Sequence, residues 1–262
     1  MRTIAIMNNK GGVGKTVTSI NLADILVRDY KKRVVLVDCD GQMNLTRFYL
    51  PDFDPELNTS VADLLTGDCE QVWIDNLMPL DPGLDLIPGS PALYELDLRA
   101  IRDGAGSVSA LRDVCRAAAD DGETDFVIFD CPPGFTAASV SALMAADEVV
   151  IPMTLDGFSF AGMQDMMVQI NSLRRARVGV RIAGILITQW RNTDVVCQAE
   201  CLLRSMRVPV YRHVIRRTDK VPESTLDRTP IAKYSPGSAA SQDYRNWIRD
   251  EFLGEEGAHG KV

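Results

Sequence analysis

An apolar run, Ile4-Ala5-Ile6-Met7, leads through Asn8 and Asn9 into Lys10-Gly11-Gly12-Val13-Gly14-Lys15-Thr16, and apolar residues at helical spacing follow from Val17 to Leu26. Strand, glycine-rich loop and helix in that order leave a chain few ways to fold. Closely spaced glycines let the loop wrap tightly and turn its backbone N–H groups inward, toward a phosphate chain. In such a loop Lys15 reaches the β- and γ-phosphates, and the Thr16 hydroxyl is placed to hold Mg²⁺. The helix opens directly on the glycines, so its N-terminal dipole adds to the anion site. A glycine-rich turn carrying incidental lysines is the bland alternative, and the flanking strand and helix argue against it.

Apolar strands and amphipathic helices alternate along the rest of the chain. This predicts an α/β fold, a single-domain, mostly parallel twisted sheet with helices on both faces. Strands are expected at residues 33–38, 84–87, 126–130, 148–152 and 182–187. Ser60-Val61-Ala62-Asp63 has a capping-box-like start for a short helix ended by Gly67. Two helices are expected between Pro91 and Asp120, broken around Gly104 and Gly106, and an amphipathic one from Ser238 to about Phe252. Residues 1–254 read as one domain and 255–262 as a disordered tail.

No apolar run approaches the length of a membrane span and the start lacks a signal-peptide pattern, which suits a cytoplasmic enzyme. The six cysteines, at 39, 69, 115, 131, 197 and 201, are scattered. Cys197 and Cys201 fit one helix face, but no second pair completes a zinc or iron–sulfur set, so buried reduced thiols are expected. The formal net charge of −8 hides an asymmetry: residues 170–233 hold 13 Lys/Arg against 5 Asp/Glu. Either that stretch presents a face to polyanions, or its arginines are scattered over solvated helix positions.

Acidic residues stand where strands end. Asp130 closes Phe126-Val127-Ile128-Phe129, as a Mg²⁺-holding Walker B aspartate does, and Asp38 and Asp40 close the second strand. A lone strand-end aspartate is as often a cap or turn residue; three beside a phosphate loop favour the functional reading.

The loop departs from the general phosphate-loop pattern, with Asn9 where a glycine is usual and a second lysine, Lys10, at its start. That variant resembles the deviant Walker A family of ParA and MinD partitioning ATPases. Asp38-Cys39-Asp40-Gly41-Gln42-Met43-Asn44 is similar to the family's switch I, and Asp130-Cys131-Pro132-Pro133-Gly134 to its switch II. Ile215-Arg216-Arg217-Thr218-Asp219-Lys220-Val221-Pro222-Glu223, with Thr229-Pro230-Ile231 after it, is similar to the segment that borders the adenine in relatives. The likeness runs from Arg2 to about Leu253.

The resemblance implies an ATP- and Mg²⁺-dependent hydrolase whose nucleotide-binding residues are Lys10, Gly11, Gly12, Val13, Gly14, Lys15, Thr16, Val17 and Arg217. It gives catalytic roles to Lys15, to Lys10 (reaching a second subunit's phosphates) and to Asp40 (orienting the attacking water). It places Thr16, Asp38 and Asp130 around the metal. Arg217 is the residue that matches a DNA-contacting arginine in relatives, with Arg216 and Lys220 beside it; Arg174, Arg175, Arg177, Arg204, Arg207 and Arg212 are candidates from charge alone. Gln189-Trp190-Arg191 stands where relatives contact the base, so Trp190 either stacks there or packs in the core. Two departures are Val17, where the family has a second threonine, and Gly41, where switch I usually has proline and a more mobile loop is expected.

MinD-like members end in a basic amphipathic membrane helix, whereas residues 244–256 hold four acids and two arginines. Anionic lipid repels such an end, so no membrane partner is expected. The loop begins within ten residues of Met1, as in the short ParA/Soj form. That form implies a nucleoid-associated, ATP-dependent homodimer that binds DNA non-specifically and a ParB-like adaptor that stimulates weak hydrolysis. The alternatives are a metabolic P-loop ligase, a metal-cluster carrier and a MinD-like membrane ATPase.

Overall fold

The computed structural model describes residues 1–66, 77–103, 109–175 and 179–254. Its strands are β1 (Arg2–Ile6), β2 (Val34–Asp38), β3 (Met78–Asp81), β4 (Leu84–Ile87), β5 (Phe126–Asp130), β6 (Glu148–Met153), β7 (Arg181–Trp190) and β8 (Val210–Arg216). They form an eight-stranded sheet in the order β3-β4-β2-β5-β1-β6-β7-β8. Every pairing is parallel except that of β3 with β4. The expected single-domain α/β architecture is therefore the one observed.

Eleven helices lie between and after the strands among the described residues: α1 (Lys15–Tyr30), α2 (Asn44–Tyr49), α3 (Val61–Thr66), α4 (Ala92–Asp103), α5 (Ala110–Asp121), α6 (Ala137–Ala145), α7 (Gly157–Arg175), α8 (Asp194–Ser205), α9 (Lys220–Leu226), α10 (Ile231–Tyr234) and α11 (Ala239–Phe252). Because side chains alternate across a strand, β1 sends Ile4 and Ile6 to one face and Ala5 and Met7 to the other. The first face is covered by α1, α2, α10 and α11, and the second by α3 to α8. Both faces are dry, which is why the central strands read as unbroken apolar runs.

The capping-box start at Ser60 is present in part: Asp63 accepts from both the backbone N–H and the hydroxyl of Ser60. The helix end at Gly67, the break at Gly104 and Gly106, Cys69 and the tail 255–262 lie outside the described residues. Cys39, Cys115 and Cys131 are buried free thiols as expected. On α8, Cys197 is half-buried and Cys201 exposed, because this edge helix buries Leu203 and leaves its opposite side in solvent. Sequence reading passed over β3 and β8, the two edge strands.

In the parallel register Asp38 of β2 and Ile6 of β1 both pair with Asp130 of β5. The carboxyl ends of these three strands therefore lie side by side, and the loops that leave them share one cleft.

Candidate nucleotide site

The loop after β1 turns as its glycines predict. Gly12 and Gly14 have φ of 73° and 87°, in the region where a Cβ is strained, and Gly14 is the N-cap of α1. Space lies open in front of Gly11, Gly12 and Gly14. The loop is braced from strands remote in sequence. Asn8 donates to Pro152 O (2.7 Å) and accepts from Lys10 N (2.9 Å). From β7, Thr188 donates to Val13 O and Gln189 to Gly12 O, both at 2.7 Å. Gln189 holds a φ of 53°, uncommon for a residue with a side chain. Sequence reading assigned Gln189 to the base and missed Asn8 and Thr188; no local signal marks a side chain that grips a carbonyl two strands away.

A cleft of about 430 Å³ opens above this loop, lined by Gly11, Gly12, Gly14, Lys15, Thr16 and Val17 from the loop and α1, and by Asp40, Gln42, Asn44 and Pro133. Its far wall is Ile215, Arg217, Thr218, Val221, Pro222 and Tyr244. The Tyr244 hydroxyl lies 3.2 Å from Thr18 Oγ1, which ties α11 to α1. This apolar wall suits the face of a planar base. Tyr244 went unnoticed in the sequence because α11 reaches the cleft only through the fold.

Lys15 is 8% exposed, and its Nζ donates to Lys10 O at 3.0 Å. Burial pushes this ammonium below its ordinary value, against the pull of Asp130, Cys131 and Asp40. Asp130 accepts from Ser19 Oγ (2.9 Å) and from Thr16. Burial first and the Asp38 charge second push Asp130 up to about 7. Asp38 is fully buried and pushed up to about 6, first by burial. Its oxygens accept from Asp40 N (3.1 Å), Thr46 N (2.8 Å) and Thr46 Oγ1 (2.7 Å). Asp38 thus holds switch I from beneath, while Asp40 lines the cleft and caps Gln42 N at 2.9 Å.

Two buried carboxyls whose charge is disfavoured, a hydroxyl between them and the loop, and a buried lysine form a donor set that suits a triphosphate with a divalent cation. Thr16 and Asp130 would hold that cation, with Asp38 behind them.

Other expected site residues stand apart from the cleft or at its rim. The Lys10 amine points to the loop that leaves β6, pairing with Asp156 and approaching Thr154 Oγ1 at 3.5 Å. Val13 is buried and presents its carbonyl to Thr188. Trp190 packs against the core and donates from its indole N–H to Glu200 Oε2 at 2.8 Å, so it belongs to the α8 side rather than the cleft. Arg216 lines the cleft rim but is clasped by Asp243, with contacts of 2.8 and 2.7 Å. Lys220 pairs with Glu223 at 2.6 Å. Arg204 pairs with Glu200 at 2.8 Å. Arg217 is exposed, with its backbone N–H on Trp190 O. The side chains of Arg174, Arg175 and Arg177 lie outside the described residues.

Comparison with known proteins agrees with this geometry. The AAA_31 family model, an AAA domain, matches residues 1–181. The chain is 30% identical to the chromosome partitioning protein ParA of Caulobacter vibrioides, covering 100% of this chain and 98% of that one. It is 33% identical to the chromosome-partitioning ATPase Soj of Thermus thermophilus, covering 94% and 93%. Among solved structures it resembles the cobyrinic acid a,c-diamide synthase of Mycobacterium smegmatis with bound ATP analogue and magnesium, with a TM-score of 0.80, 27% identity, and coverage of 100% and 97%. The chain belongs to the ParA/Soj family of deviant Walker A P-loop ATPases.

Proposed function

We propose that this ATPase partitions DNA: ATP and Mg²⁺ bind in the cleft, two copies close over the nucleotides, and the dimer holds DNA without regard to sequence until a ParB-like adaptor stimulates its weak hydrolysis. The observation that carries the reading is the convergence of Lys15, Thr16 and Asp40 on one cleft, with Asp130 buried directly behind Thr16. The likeness to partitioning relatives supports the proposed cellular role.

The loop amides and Lys15 bind the phosphates, and the apolar wall with Arg217 borders the base. Magnesium, when bound, supplies charge neutralisation at the phosphates. Asp40 sits at the mouth of the cleft, where it orients the attacking water. Lys10 leaves Asp156 on dimerisation and reaches the second copy's phosphates, as an arginine finger supplies charge in trans. Arg217 contacts DNA phosphate, and two linked copies make weak contacts sufficient. The apolar side of α11 is already used, with Tyr244, Trp247, Ile248 and Phe252 buried against the sheet. That supports a partner other than membrane, and among the described residues no helix is long and apolar enough to cross one.

The test is retention on DNA with ATP and Mg²⁺ over a salt series, for the parent chain and Asp40→Ala. The parent should be retained only with ATP, and retention should fall steeply with salt. Asp40→Ala should be retained without turnover. Absent retention at low salt overturns the reading; a small-molecule product formed from ATP then makes the chain a metabolic ligase, and ATP-dependent liposome binding makes it a membrane ATPase.

A further inference from the structure

Helix α4 begins just beyond the turn that follows β4, and that turn runs tight against switch I. A Cβ at Gly89 would lie 3.0 Å from both Asp38 Cγ and Asp40 O, and Gly89 N donates to Thr46 Oγ1 at 2.9 Å. Leu93 and Leu96 are 4% and 8% exposed and fix α4 to the core. The residues one position beyond each, Tyr94 and Asp97, share a different face of the helix, because positions three apart are neighbours. Each of them reaches a different loop of the cleft.

The Tyr94 ring lies on Gly41, so closely that a Cβ there would stand 2.8 Å from its Cε2 and Cζ. Gly41 is the position where relatives' switch I usually carries proline. The freedom that a glycine gives this loop is thus taken up by an aromatic side chain laid across it. The Tyr94 phenol is pushed above its ordinary value first by desolvation and then by the Asp40 carboxylate. On the other side, Asp97 Oδ1 accepts from Ala137 N at 2.7 Å. Ala137 is the first residue of α6, directly after the segment that carries Asp130 and Pro133 toward the cleft.

We infer that α4 is a positioning element for the reaction, in which Tyr94 sets switch I and its Asp40 by packing on Gly41, while Asp97 sets switch II by capping the start of α6. The inference rests on the ATPase reading above. Neither Tyr94 nor Asp97 lines the cleft; they act through the loops. Two switches fastened to one rigid helix keep a constant spacing, which is the condition for a water and a phosphate to meet in line.

The test compares Tyr94→Ala, Tyr94→Phe, Gly41→Ala and Asp97→Ala in nucleotide affinity and in kcat. A misplacement of about 1 Å at a reacting group lowers rates by up to about 100-fold. Tyr94→Ala, Gly41→Ala and Asp97→Ala should therefore each lower kcat by about 10- to 100-fold while nucleotide Kd stays within about twofold. Tyr94→Phe should restore the rate, since the ring and not the hydroxyl meets Gly41. Parent-like kcat in Tyr94→Ala overturns the inference, as does loss of affinity in step with rate, or a Phe variant as slow as the Ala variant. Amide exchange on the nucleotide-free protein gives a readout independent of turnover. Residues 40–43 should exchange faster in Tyr94→Ala and residues 135–138 in Asp97→Ala, and unchanged exchange overturns the inference. A parent chain that turns over no ATP overturns the proposed function instead, and the exchange measurement still decides the role of α4.

Discussion

At the carboxyl ends of β1, β2 and β5, charged groups gather around an open cleft; along β8 and α9, Arg216 and Lys220 are held in ion pairs. The cleft is lined by Lys15 and Asp40, with Asp130 buried against Thr16, so it invites a ligand that brings phosphate charge to the lysine and a cation to the carboxyls. The basic stretch has a surplus by count, yet Arg216, Lys220 and Arg204 each hold an acid. Arg217 is the member of the stretch that has no ion pair among the described residues and also lines the cleft. Charge counted along a chain measures composition; charge available to a partner is what remains after the fold has made its pairs.

The sharpest break of that contrast is Lys15→Ala. Hydrogen bonds to charged groups contribute about 1.5–3 kcal/mol each, so losing this one should weaken ATP binding by about 10- to 100-fold or more. Isothermal titration reads this directly, and near-parental affinity would remove Lys15 from the phosphate site.

A second measurement separates the two neighbouring arginines. Arg217→Ala should lower DNA retention and reduce the salt slope by about one phosphate contact. Arg216→Ala should leave the slope alone and instead strand Asp243, whose side chain is 12% exposed. That loss amounts to about 1 kcal/mol for a partly exposed pair, a fall in Tm of about 2–4 °C. If Arg216→Ala flattens the salt series as much as Arg217→Ala does, the clasp by Asp243 opens on DNA and the contrast between the regions fails.

The smallest effect concerns pH. Asp38 and Asp130 sit at about 6 and about 7 in the fold, above the carboxylate range of the unfolded chain, near 4. The folded state therefore keeps protons that the unfolded state releases. The stability this gives is fully present below about pH 4 and is lost as pH rises through the folded values. In chelator, the Tm of the nucleotide-free protein should fall by a few degrees between about pH 5.5 and 8, at about 2–4 °C per kcal/mol. Asp130→Asn should flatten that fall. An unchanged slope would mean that the two carboxyls are charged in the free protein.

What could be read from the sequence was what lies close along it. Lys15 and Thr16 sit in one loop, and Asp40 and Asp130 each follow a buried strand, so local pattern placed them all. Edge strands escaped notice for a physical reason. β8 buries only Tyr211 and Ile215, so its pattern is neither a continuous apolar run nor a clean alternation; β3 is four residues long and contains a proline. Contacts closed by the fold were invisible. Asp243 lies 27 residues from Arg216 and Gln189 lies 177 residues from Gly12. The departure at Gly41 was legible, but its meaning was not, because the ring that lies on it belongs to α4. A looser switch I was expected there, whereas Tyr94 packs against it.

One pair of contacts on α8 bears on how copies of this chain can meet. The Arg204 guanidinium donates to Tyr211 O at 2.9 Å and to Arg212 O at 3.1 Å, at the start of the last strand in the sheet. A strand arriving from another molecule would have to break these bonds before it could begin a new ladder. At the opposite border, Pro79 removes a backbone donor from β3. Both borders of the sheet are thus protected against the edge-to-edge growth that turns open sheets into fibrils. The closure and release proposed above would depend on that protection, since each closure would crowd molecules together and each release would have to leave them separate.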